Sequence, residues 1–368
     1  NLLEEAGFDC VIGNPPWEVW KPNSDEFFSS YDETYLALGK AKEKKKRQEE
    51  LFNRFSSLKG KWNEYEGRFE KGSKYFRDDN NFKYQSWQVE GRKTGSDINL
   101  YKISLERFYQ LLKNGQHLSL LVPDNLMTDL SATGLRHMIF DDSELVEFLS
   151  FENRLGIFES IHRSYKFAVT TLVKGDKSPY ASFNAFFYKQ NLSSLQNELE
   201  KLDYPLELVF AEKDTYSLFE PRTKEDFLLY QKIVLSYPSL GKTELIKLTT
   251  DFNKTSDSNL FSPITNNQIP LYEGKFMDQF KVYPSSLKES VEIAEVERKV
   301  KSEYRHWRIG LRAQASSTNK RTLIATLFPP YTTATHSLQI QSGSGKVNIK
   351  DKSFFLGILN SYILDFCL

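Results

Sequence analysis

Cysteine is almost missing from this 368-residue chain: Cys10 and Cys367 stand at opposite ends. Two cysteines make no disulfide framework and supply no paired zinc-ligand spacing. The five histidines are scattered without a metal-ligating interval, so no metal site is expected. No run approaches the roughly 18 apolar residues of a membrane span, and the first residues lack the basic-then-apolar order of a secretory signal. A soluble cytoplasmic protein with no membrane partner is the expectation. Excess charge is missing too: 49 basic side chains balance 49 acidic ones, so no global field draws the chain to a polyanion. Any polyanion-binding surface must be a local patch. No repeat recurs at a fixed period.

What is present is apolar and aromatic material enough for a sizeable core, 39% and 14% of residues, in a chain long enough for two domains. Phe8-Asp9-Cys10-Val11-Ile12 reads as a short strand buried on both faces, ending at Gly13. Residues 18–96 then break the rhythm as a charged, aromatic insertion, with a helix predicted around Ala41 to Phe55. The basic cluster from Lys40 to Arg47 alternates with Glu43, Glu49 and Glu50 and reads as a solvated face. Behind a Ser96/Asp97 cap, Leu100, Ile103, Phe108, Leu111 and Leu112 recur at helical spacing, and Gly115 offers a stop. A strand from His117 to Val122 should follow, then a helix capped by Asp124-Asn125 and running to about Ile139. Glu144 to Phe151 and Phe167 to Val173 read as two further strands. This order predicts an α/β sheet with an antiparallel edge. Beyond Lys174 come short strands and polar loops. The expected domains are residues 1–190 and 191–368.

The segment that carries chemistry is Asn14-Pro15-Pro16-Trp17, directly after the first strand, where open α/β sheets bind ligands. Proline locks φ and removes a donor, so the Pro15 carbonyl stays fixed beside a polar side chain and an aromatic face. The block Phe8 to Trp17 resembles motif IV of amino-group methyltransferases. Asp97-Ile98-Asn99-Leu100-Tyr101, and Gly115 through Pro123-Asp124-Asn125-Leu126-Met127-Thr128, resemble the motif V and VI region of N6-adenine methyltransferases from type IIG restriction-modification enzymes and BREX-type phage-defence systems. Arg163-Ser164-Tyr165-Lys166-Phe167 is similar to their motif VIII. Leu271 to Phe280 and Arg321 to Pro329 resemble their target-recognition half.

The resemblance implies a Rossmann-like, S-adenosylmethionine-dependent catalytic lobe followed by a mixed α/β target-recognition domain, acting on the N6 amino group of adenine in double-stranded DNA. It makes Asn14, Pro15, Pro16 and Trp17 the catalytic residues, and Trp17, Phe167 and Tyr165 the aromatics that stack on the extruded base. Asn14, Pro15, Leu100 and Tyr101 would touch the cofactor; a core-helix reading of Leu100 stands beside that role. In the second domain Arg308, Arg312, Lys320 and Arg321, interleaved with Trp307, are the expected DNA contacts. In this family a glycine-rich cofactor loop lies upstream of Asn-Pro-Pro. The chain is therefore expected to be a fragment without that loop, binding S-adenosylmethionine weakly by itself. A nuclease domain or other defence-system subunits would lie outside it, since no Pro-Asp with a spaced Glu-x-Lys is present. Ser342-Gly343-Ser344-Gly345-Lys346 lacks the spacing of a phosphate loop and reads as a flexible turn. Two other readings stay open: a DNA-binding specificity module with an inactive catalytic lobe, and an Asn-Pro-Pro methyltransferase acting on RNA or on protein glutamine.

Overall fold

The computed structural model describes residues 7–366 except 90–91, 94–96, 176–180, 198–199, 238–245 and 316–318. The expected cap at Ser96 lies outside the described residues, as does Cys367. The chain divides into two compact units, Asn1–Ser236 and Tyr237–Leu368. The expected boundary near 190 falls inside the first unit. The reason is strand pairing: Leu202–Pro205 lies antiparallel on Ser182–Lys189, so residues beyond 190 complete the first sheet.

That sheet has six strands: β1 (Phe8–Gly13), β2 (Leu112–Pro123), β3 (Ser143–Glu152), β4 (Lys166–Lys174), β5 (Ser182–Lys189) and β6 (Leu202–Pro205), in the order β1-β2-β4-β3-β5-β6. Strands β1 and β2 are parallel, as are β3 and β5, whereas β4 runs antiparallel to both its neighbours. The α/β class is as the sequence predicts. An antiparallel strand does lie at the edge, β6, but the more consequential one is β4, inserted between β2 and β3.

Strand β1 occupies the other edge of the described sheet. Phe8 and Ile12 are 56% and 80% exposed, which corrects the expectation of burial on both faces. In β2, Phe8 pairs with Leu112 but Cys10 pairs with His117, so residues 113–116 bulge out, with Gly115 at φ 74°. Gly115 therefore turns the strand and does not end the helix, which closes earlier, at Leu111. The helix expected from Asp124 starts late, as two short 3-10 turns and then Thr133–Asp141. Asp124 makes no cap because its carboxylate points inward to Ser150 and Lys166.

The described part of the insertion includes the α-helices α1 (Ser24–Ser29), α2 (Ala41–Arg54) and α3 (Leu58–Phe76). Their core is Phe28, Tyr35, Leu51 and Leu58, flanked by Phe27, Phe52 and Trp62. On α2, Lys44 and Arg47 turn to Asp25 and Asp32. The two ends of the insertion are stitched together: Val19 bridges Asn99, Trp20 N donates to Ile98 O, and Leu100 N donates to Glu18 O. An insertion that leaves and returns at one point adds little closure entropy to the host sheet. The same stitch sets the start of α4 (Leu100–Leu111) against Asn14–Trp17.

Among its described residues the second unit contains two four-stranded sheets and a two-stranded hairpin. One of the sheets centres on Arg308–Arg312, paired antiparallel with Ala325–Phe328 and with Leu338–Ser342. No described helix is long and apolar enough to cross a membrane.

Candidate active site

Asn14, Pro15, Pro16 and Trp17 leave the carboxyl end of β1 and line a pocket of about 600 Å³ with Glu18, Asn99, Tyr101, Asn125, His162 and Tyr165. A second cavity, of about 530 Å³, lies against β1 and shares Asn14, Pro15 and Pro16 with the first. The tetrad thus stands between two cavities. Pro15 is buried, which fixes the backbone, while Asn14 remains exposed.

The pocket's wall chemistry follows from its neighbours. Trp17 Nε1 donates to Leu121 O at 3.3 Å, which holds the indole against the sheet. The buried Tyr101 hydroxyl donates to Asn125 Oδ1 at 3.0 Å. Burial raises the Tyr101 phenol well above its ordinary range, so it stays a neutral donor. With its oxygen engaged, Asn125 keeps its Nδ2 hydrogens for a ligand. Three asparagine amides and the rings of Trp17, Tyr101 and Tyr165 line the pocket, with no lysine or arginine among its described lining residues.

The structure separates residues that the sequence grouped. Trp17 and Tyr165 line the pocket, and Tyr165 is 51% exposed. Phe167 is 2% exposed. It stacks between Phe151 and Trp17 and meets Phe158 edge-on. It therefore backs the pocket and offers no free face to a base. Tyr101 lines the pocket, whereas Leu100 packs with Phe82, Ile98 and Ile103, in keeping with its core reading. Asn99 and Asn125 lie inside the sequence blocks already noted, but neither was singled out there for the pocket, and Asn125 was read as a helix cap. Nothing in the sequence pattern pointed to Ser160 or His162.

Behind the pocket, Lys166 Nζ reaches Asp124 Oδ2 at 2.7 Å and Glu220 Oε2 at 2.5 Å, and Ser150 Oγ donates to Asp124. Burial disfavours the lysine's charge, yet Glu220 and Asp124 outweigh it and raise its pKa. Burial, with the Glu220 charge beside it, pushes the Asp124 carboxyl from 3.8 up to about 6. Folded protein then holds this proton more tightly than unfolded protein, so the contribution of Asp124 to stability falls as pH rises from about 4 through about 6. Asp124→Asn is expected to remove that component of the slope. Urea midpoints of both proteins between pH 4 and 7 check this, and parallel pH curves would contradict it.

In the second unit the four residues expected to contact DNA do not share one exposed patch. Arg308 is 2% exposed, with both terminal nitrogens on the Asp251 carboxylate at 2.9 Å. Arg312 is partly buried and donates to Met277 O. Arg321 ion-pairs with Asp365 at 2.8 Å and donates to Asn360 O and Ser361 O. Of the four residues Lys320 is exposed. The guanidinium groups of Arg308, Arg312 and Arg321 are thus each engaged by partners within the unit. No group of His, Cys, Asp or Glu suited to a metal occurs among the described residues.

No protein-family model and no curated protein sequence matches the chain. Solved structures do resemble it. A nuclease-deletion mutant of the Type ISP restriction-modification enzyme LlaGI, in complex with a DNA substrate mimic, aligns over 99% of this chain and 39% of its own, at 11% identity and a TM-score of 0.41. The Type IIL restriction-modification enzyme MmeI, in complex with DNA, aligns over 72% of this chain and 38% of its own, at 10% identity and a TM-score of 0.39. The M protein of the type I restriction enzyme EcoKI aligns over 48% of this chain and 35% of its own, at 14% identity and a TM-score of 0.23. The chain thus spans less than half the length of each of these proteins.

Proposed function

We propose that the pocket at Asn14–Trp17 receives an adenine base and presents its N6 amino group for methylation, as part of a site-specific DNA methyltransferase of a restriction-modification or phage-defence system. The observation that carries this reading is the pocket's chemistry. Asn14, Asn99 and Asn125 beside Trp17 and Tyr165 suit a flat, uncharged heterocycle with donors and acceptors on its edge. The lack of a lysine or arginine in the described lining argues against a pocket for a phosphate or carboxylate. A base in duplex DNA must leave the stack to enter such a pocket.

S-adenosylmethionine would supply the electrophilic methyl group. The residues here that fit a role beside it are Asn14, Pro15 and Tyr101, all at the pocket. An amino nitrogen on a heteroaromatic ring is a poor nucleophile because its lone pair is delocalised. The Asn14 side-chain oxygen and the Pro15 carbonyl would accept the two amino hydrogens and so free the lone pair. Trp17 and Tyr165 would hold the ring in place. Lys320 is the remaining exposed residue of the expected DNA contacts.

The direct test is methylation by the complete protein with labelled S-adenosylmethionine, followed by digestion of the product. N6-methyladenine from duplex DNA supports the proposal; methylated cytosine, RNA or protein glutamine as the product would replace it, and DNA binding without transfer would favour a specificity module. The two aromatics should then separate. Tyr165→Ala is expected to cut the emission rise of 2-aminopurine at the target position severalfold. Phe167→Leu is expected to cost roughly 1 to 3 kcal/mol of stability with a smaller effect on extrusion. Equal extrusion by Tyr165→Ala and wild type would move the stacking role elsewhere.

A further inference from the structure

One wall of the pocket is formed by a loop, and one side chain holds that loop in shape. Strands β3 and β4 are neighbours in the sheet, with Glu152 opposite Lys166. Residues 153–165 join them, and from Gly156 onward the connection has no helix or strand of its own. It nevertheless supplies Ser160, Ile161, His162 and Tyr165 to the pocket. Connections of this length lack a ladder for their backbone groups and keep one conformation only if other partners satisfy them.

Asn153 supplies those partners. It is fully buried. Its Nδ2 group donates to Phe158 O and to Ile161 O, each at 2.9 Å, and its Oδ1 accepts from Phe158 N at 2.9 Å. Its own backbone N–H donates to Tyr165 O at 2.9 Å. One residue therefore grips the loop at its middle and at its far end. The wall so held presents a defined chemistry. His162 Nδ1 lies 2.7 Å from Ser164 Oγ and 3.2 Å from Ser164 N, and these two contacts orient its ring in the wall.

We propose that Asn153 is a positioning residue for base capture: by holding the wall from Phe158 to Tyr165 it sets Tyr165 and His162 against Trp17 before the ligand arrives. This rests on the reading of the pocket as a base site. Pre-set walls raise capture because the loop need not be ordered at the moment of binding. The hydrogen bonds of Asn153 named above run to Phe158, Ile161 and Tyr165 and not to the tetrad, so it acts through the wall.

Asn153→Asp keeps size and the Oδ1 acceptor but replaces the two-hydrogen donor with an oxygen facing two carbonyls. In the complete enzyme, hydrogen exchange of the amides from 157 to 165 is expected to quicken about tenfold or more. With 2-aminopurine at the target position, the emission rise should fall severalfold, and the single-turnover rate should fall in parallel. A change that works through the wall should be largely lost in a Tyr165→Ala background, whereas a general loss of stability would add to it. Wild-type base capture by Asn153→Asp, or full additivity with Tyr165→Ala, overturns the proposal. Should Asn153→Asp fail to fold, Gly156→Ala loosens the same wall. Gly156 has φ +78°, and a Cβ there would overlap the Arg163 guanidinium. The same outcomes then apply. Failure of the methyltransferase reading looks different: wild type would transfer no methyl group to any base. The wall is then judged by exchange alone, and unchanged exchange across 157–165 overturns it.

Discussion

Replacing Asn14 by alanine in the complete enzyme is expected to slow single-turnover methyl transfer about a hundredfold or more while changing DNA affinity less than about twofold. The asymmetry follows from what the side chain would do. A carbonyl that accepts an amino hydrogen binds the ground-state base modestly, but binds the transition state better as positive charge grows on nitrogen and its hydrogens become stronger donors. DNA affinity, by contrast, would rest mainly on phosphate contacts, which a side chain facing the base would not make. Asn14 is exposed and Pro15 beside it is buried, so truncating the one should leave the backbone of the other where it is. Rapid-quench methylation and a filter-binding titration on one DNA supply both numbers. Wild-type turnover would remove Asn14 from the reaction, and a parallel loss of affinity would make it a binding residue.

Much of this site was legible because its chemistry is local. The strand, its glycine, and the Asn-Pro-Pro-Trp tetrad are contiguous, and the fold keeps them so. Asn99 and Tyr101 were harder, since a separate helical insertion divides them from Trp17. The bridge between Val19 and Asn99 that brings them back depends on the insertion folding as its own unit. Tyr165 and Phe167 show a different limit. Both belong to one five-residue block, but Phe167 has entered the ladder opposite Phe151 and Pro123, and its ring joins a packed aromatic cluster. Tyr165 precedes the strand and stays in the loop. The sequence placed the start of the strand at Phe167 but not the face that its ring takes, which depends on the pairing register. Asn153 was hidden because its partners are backbone groups, which every sequence has. The partners of Arg308 and Arg321 were hidden for a related reason: a guanidinium that reads as free charge in sequence meets a carboxylate distant in the chain, Asp251 and Asp365.

Arg308 makes that last point testable. Arg308→Met is expected to destabilise the second unit by about 3 to 5 kcal/mol, because it leaves the Asp251 carboxylate buried without its cation. Asp251 is 9% exposed and also accepts from Thr333 Oγ1 at 3.0 Å and from Ala334 N at 3.1 Å. Those two neutral donors remain in the variant but cannot balance the charge. Arg308 also donates to Thr332 O at 2.9 Å, so the same guanidinium ties the strand Arg308–Arg312 to the turn before Thr333. Asp251→Asn should be damaging as well, since it strands the arginine. Combining the two changes should cost less than their sum, because the second removes a charge that the first has already left unpaired. Urea unfolding followed by hydrogen exchange in the second unit separates its loss from that of the first unit. A direct DNA contact predicts the opposite pattern: unchanged stability, weaker binding and a shallower dependence of affinity on salt. If Arg308→Met unfolds at the wild-type urea concentration, the ion pair has little structural weight and the arginine returns to the list of DNA contacts.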